Sequence, residues 1–74
     1  MSTYKMVTVV GTSSESNEAA VRNAIADAAS SLRNLDWFEV KEMRGRLSDD
    51  GGIEEWQVKV EVGFRLDREQ GAGS

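Results

Sequence analysis

The chain contains no cysteine, no histidine and no proline. Without Cys there is no disulfide to staple a small fold, no thiol nucleophile and no thiolate metal ligand. Without His there is no imidazole to act as a general base or to bind a transition metal. Without Pro the loops are not stiffened through φ. Aromatic residues are few, at 7%. No long apolar run occurs either. The amino terminus, "MSTYKMVTVVG", is too polar for a signal peptide or a membrane span, so a soluble cytoplasmic protein is the expectation. Basic residues are outnumbered, nine Lys and Arg against thirteen Asp and Glu, and the net charge of −4 argues against general nucleic-acid binding, which needs a basic surface.

The 74 residues make one domain, with residues 1–67 as its body and the small, polar segment 68–74 as a fraying tail. A chain of this length buries a modest core and normally needs a disulfide, a metal or a partner subunit. Disulfides and Cys/His metal sites are excluded by composition, which leaves oligomerisation.

Four elements can be read. "TYKMVTVV", Thr3 to Val10, mixes β-branched and polar residues as a strand does, and Gly11 is expected to end it. "TSSES" offers hydroxyls for capping a helix, with Ser14 or Ser16 as the cap and Glu15 and Glu18 near the positive end of the dipole. Val21, Ala24, Ile25, Ala28, Leu32 and Leu35 then fall on one helical stripe, predicting a helix to about Leu35. "WFEVKEMRGRL" reads as a second strand, and "SDDGG" as a turn in which Gly51 and Gly52 supply positive φ. In "EEWQVKVEVGFRL" the apolar Trp56, Val58, Val60, Val62, Phe64 and Leu66 alternate with Gln57, Lys59, Glu61, Gly63 and Arg65. The fold class is α+β: β-α-β-β, a three-stranded antiparallel sheet with one helix packed on one face. The other face and both sheet edges are left for subunit contacts.

Candidate residues follow from strand parity. Trp56 lies on the apolar side and reads as core. Phe38 and Val40 have the parity of the helix side, which turns Trp37 to the open face. There it is either a core or interface anchor or a flat π surface for a stacked ring. Gln57 shares the open face. Its carboxamide offers a donor beside an acceptor, suited to an imide edge, although a solvated Gln is the commoner case. Arg44, Arg46 and Arg65 carry planar forks suited to phosphate or to surface ion pairs with Glu39, Glu42 or Glu61. By simple alternation Arg44 and Arg46 lie opposite Trp37 unless the strand bulges. No catalytic arrangement emerges. The carboxylates are spread like solvated strand faces, and "GTSSES" lacks the glycine spacing and Lys-Ser/Thr ending of a P-loop.

"VVGTSSES" leading into an Ala-rich helix, then "LDWFEVKEMRG", then "WQVKVEVGFRL" resembles the bacterial dodecins over about residues 4 to 67. The resemblance implies a non-enzymatic flavin-binding protein for storage or sequestration, assembled as a hollow homo-dodecamer with sheets lining the inside and helices outside. It implies that Trp37 stacks on the isoalloxazine, two flavins lying between the Trp residues of two subunits, and that Gln57 bonds the pyrimidine-like edge. It puts Asp36 near the ribityl chain, and Arg44 and Arg65 where they favour a flavin phosphate, hence FMN over riboflavin. Some bacterial relatives also hold coenzyme A near the first strand and the helix. An indole against a flavin quenches its excited state by electron transfer, which would make the protein photoprotective. A structural oligomer with Trp37 as anchor, and a flavin-dependent electron-transfer protein, are the readings of other classes.

Overall fold

The computed structural model describes residues 2–66, so the tail expected at 68–74 and the two ends of the 1–67 body lie outside the described residues. The elements are β1 (Tyr4–Ser13), α1 (Asn17–Ala29), β2 (Leu35–Leu47) and β3 (Ile53–Arg65). The sheet order is β1-β3-β2, and both outer strands run antiparallel to β3. β1 and β2 are therefore parallel to each other, with β3 inserted between them, a split β-α-β arrangement.

β1 runs on through Gly11 to Ser13 instead of stopping there. Gly11 has another job: a Cβ at this position would overlap the Ala20 carbonyl oxygen and stand 2.7 Å from Ala24 Cβ. The missing side chain lets the helix lie directly on the strand. Ala20, Ala24 and Ala28 form the buried edge of α1, and Val58, Val60 and Val62 the buried row of β3. Val7, Val9, Val21, Leu32, Leu35 and Trp56 pack around them, so Trp56 belongs to the core as its parity predicts.

The helix starts where the hydroxyls suggest. Ser16 Oγ accepts from the Ala19 N–H at 3.0 Å, and Glu18 stands in the first turn, paired with Arg22 at 2.7 Å. It ends at Ala29, short of the expected Leu35. Ser30 Oγ donates to the Asp27 carbonyl at 2.6 Å, and the Ser31 N–H reaches back to Ala28 at 3.2 Å, which tightens the last turn. Asn34 then adopts φ 63, a left-handed conformation that Asn tolerates better than most residues. Its carbonyl accepts from the Arg65 N–H at 3.0 Å, pinning the start of β2 to the end of β3.

The β2–β3 turn is closed by Ser48 N–H to Gly52 O at 2.8 Å and Gly51 N–H to Ser48 O at 3.0 Å. Gly51 alone supplies positive φ, at 88°. The Ser48 hydroxyl and the Gly52 N–H hold the Asp50 carboxyl below its ordinary 3.8. A depressed carboxyl pKa favours the folded turn above that ordinary value, and the contribution fades as pH falls through the lower folded value.

Cover by the helix is narrower than the strand pattern predicts. The helix covers β1 and β3 but leaves much of the same side of β2 open. Phe38, Val40 and Met43, opposite the buried Val62, Val60 and Val58, stay exposed. α1 lies over β1 and β3, and its 13 residues reach about 20 Å, against about 44 Å for the 13 residues of β2.

Candidate functional site

The helix-free face of the sheet carries Gln57, Lys59, Glu61, Gly63 and Arg65 from β3, as their alternation requires. Register adds Tyr4 opposite Arg65 and Met6 opposite Gly63 from β1, and Trp37 opposite Gly63 from β2. The register of β2 slips between Val40 and Glu42, leaving Lys41 as an extra residue. Such a bulge reverses strand parity. Glu42, Arg44 and Arg46 therefore join Trp37 on the open face, instead of opposing it as strict alternation would have them. A second slip, between Leu35 and Trp37, puts Asp36 in a bulge beside the indole. Asp36 and Trp37 line a groove with Ile25, Leu35, Phe38 and Val62.

Two clusters occupy the face. At one end the Trp37 indole lies over Gly63 with Tyr4 on its flank, ring centroids 4.9 Å apart and tilted by 59°. Trp37 remains 42% exposed. Arg65 follows two residues along β3, roughly 7 Å away at strand rise. At the other end Arg44 Nε donates to Gln57 Oε1 at 3.0 Å. Gln57 Nε2 donates in turn to Glu55 Oε1 at 2.9 Å, and Arg46 pairs with Glu55 at 3.5 Å. Val10, Glu42 and Lys59 complete a shallow depression around Arg44 and Gln57.

The clusters share a face but not a location. Trp37 pairs with Gly63 and Arg44 pairs with Gln57, so six residues of β3 separate them, roughly 20 Å at strand rise. That exceeds the length of a three-ring heterocycle. One chain does not bring Trp37 and Gln57 to the same ring, nor Arg44 and Arg65 to the same phosphate. Tyr4, Gly63 and Glu55 were missed as parts of these clusters. Parity puts Gly63 among the open-face positions, but only the strand order and register bring Tyr4 over to the indole and Glu55 to Arg46.

Among the described residues no group of three His, Cys, Asp or Glu side chains gathers to hold a metal ion, and no helix is long and apolar enough to cross a membrane.

A split β-α-β sheet with an aromatic platform on its bare face, and an outer strand exposing apolar side chains on the other, defines a small binding module of the β-α-β-β class. The chain belongs to the dodecin family: the Dodecin family model matches residues 3–67. It is 56% identical over 64 residues to the dodecin of Thermus thermophilus, covering 86% of this chain and 91% of that protein. The crystal structure of the tt0972 protein from Thermus thermophilus superimposes with a TM-score of 0.86 at 53% identity, over 92% of this chain and 98% of that one. The dodecin from Streptomyces davaonensis gives 0.86 at 54%, over 90% and 97%. Dodecins are small flavin-binding proteins.

Proposed function

We propose that this protein stores and sequesters flavin, FMN in preference to riboflavin, inside a homo-dodecameric shell, and that it is not an enzyme. The observation that carries the reading is Trp37. A large aromatic ring lies face-down on a glycine and keeps its outer face exposed, which suits stacking of a flat heterocycle.

The two clusters fit the two halves of such a ligand only if two chains contribute. In this reading the isoalloxazine lies on Trp37 of one subunit, and its pyrimidine-like edge meets Gln57 of the partner subunit. Two-fold pairing of sheets repeats the contact symmetrically, so two flavins sit between two indoles. Asp36 stands beside the ribityl chain, and Arg65 and Arg44 attract the phosphate. Bound flavin supplies the colour and the redox chemistry. The chain excludes water, orients the ring and quenches its excited state through the indole. Exposed apolar side chains on β2 support assembly, and the dodecin relatives are multimeric. A cytoplasmic location completes the proposal, and coenzyme A near β1 and α1 is the alternative ligand.

The test is optical. Purified protein mixed with FMN should quench flavin fluorescence. Trp37→Ala should restore that fluorescence and weaken affinity roughly ten- to hundredfold, using the 1–3 kcal/mol typical of base–aromatic stacking. A variant that binds and quenches like the unaltered protein would remove Trp37 from the site.

A further inference from the structure

A Cβ built at Gly63 would stand 2.7 Å from Trp37 Cε2, 2.7 Å from Cζ2 and 2.9 Å from Cη2. Three adjacent ring carbons at nearly equal distance describe a ring lying face-down over the position, not one approaching edge-on. The six-membered ring of the indole therefore occupies the space above β3 where any other residue would carry a side chain. It can do so only because position 63 is bare. Having crossed the central strand, the indole meets Tyr4 of β1, whose ring stands tilted against it. Gly63 sets the height of the indole and Tyr4 limits its swing.

Resting on the flavin-storage reading, we infer that Gly63 and Tyr4 are positioning residues that fix the pose of the Trp37 platform and through it the affinity for flavin. A methyl group at 63 must push the indole up by about 1 Å to reach ordinary carbon–carbon separation. Two platforms facing each other across a ligand pair would then close their gap by about twice that distance. Stacked rings already sit at contact distance, so they have no slack to absorb it. The backbone does not oppose the change, because Gly63 lies outside the left-handed region. Gly63→Ala thus acts on the indole and not on the fold. Tyr4→Phe keeps the flanking ring, whereas Tyr4→Ala removes it.

The experiment has a ligand-free arm and a ligand arm. Near-ultraviolet circular dichroism, with the Trp37→Phe spectrum subtracted to remove Trp56, isolates the Trp37 band in the assembled protein. That band should collapse in Gly63→Ala and Tyr4→Ala and persist in Tyr4→Phe. In the ligand arm riboflavin is titrated by fluorescence. Affinity should fall about tenfold or more in Gly63→Ala, comparable to loss of a stacking contact, and Tyr4→Phe should bind like the unaltered protein. Introducing Gly63→Ala into the Trp37→Ala chain should cost no further affinity, which a general structural defect would not reproduce. A Trp37 band unchanged by Gly63→Ala, or an equal loss of riboflavin affinity in the Trp37→Ala background, overturns the positioning role. Failure of the unaltered protein to bind riboflavin or FMN overturns the flavin reading instead, and the dichroism arm still decides whether Gly63 and Tyr4 hold the indole.

Discussion

Gln57 has two lone pairs and two N–H groups, of which Arg44 takes one and Glu55 another. One acceptor and one donor remain, enough for an imide-like edge without breaking either contact. Gln57→Leu should weaken FMN and riboflavin alike, because both carry the same ring. Arg65 stands near the platform but on no ring-reading contact, so Arg65→Ala should reduce FMN affinity by about one order of magnitude, the effect of one charge-assisted bond, and leave riboflavin nearly unchanged. Arg44→Ala differs from both. It removes a charge that the proposed phosphate contact would use and also frees the Gln57 carboxamide, so it should lower riboflavin affinity as well. Added salt should mimic the Arg65 loss for FMN alone. Calorimetric titration of both flavins into the three variants reads these differences. Equal losses for both flavins in Arg65→Ala would mean that the phosphate is held elsewhere.

Among the elements, the contact between β1 and α1 depends on one missing side chain. Val58, Val60 and Val62 are each buried against an alanine edge, and burial of a valine is worth about 1.5–3 kcal/mol. That packing requires the helix at its present height. Gly11→Ala places a methyl against the Ala20 backbone carbonyl, which cannot rotate away as a side chain can. The helix must lift, loosening all three valines. A loss of about 1–3 kcal/mol or more is expected, as for other overpacked cores. Thermal unfolding of Gly11→Ala beside Gly63→Ala checks this, because the second meets only a side chain and should be much less destabilised. Equal losses for the two would remove the distinction between backbone and side-chain obstruction.

The described residues form an elongated body. Its radius of gyration is 15.7 Å, against about 11 Å for a compact domain of this length, and it extends 58 × 19 × 13 Å. The β2–β3 hairpin accounts for the length, and it projects beyond the cover of α1. Phe38 at 48% and Met43 at 59% exposure mark its unroofed side. Apolar surface of this kind in a small chain calls for a partner. Native mass spectrometry should therefore show a dodecamer that persists on dilution. Phe38→Glu should dissociate it by burying a charge in the contact, while Asp27→Lys on the exposed side of α1 should not. A monomer for the unaltered chain, or an intact assembly in Phe38→Glu, would contradict this route to assembly.

Properties that depend on neighbours in the chain were legible in the sequence. The period of two placed Trp56 inward and Gln57 outward, the hydroxyl cluster narrowed the cap to Ser14 or Ser16, and Asp50-Gly51 marked the turn. The absence of Cys and His excluded thiol and imidazole chemistry before any coordinates. The local motifs resembled one family closely enough to name it. Properties that depend on pairing between distant segments were decided only by the tertiary structure. Nothing local in β2 says that Lys41 is unpaired, yet that one residue brings Arg44 to the face of Trp37. Nothing local distinguishes Gly11, which admits a helix, or Gly63, which admits an indole, from glycines that end strands or make turns. The separation of Trp37 from Gln57 likewise follows from register, because parity tells which face a side chain takes but not how far along the strand its partner lies.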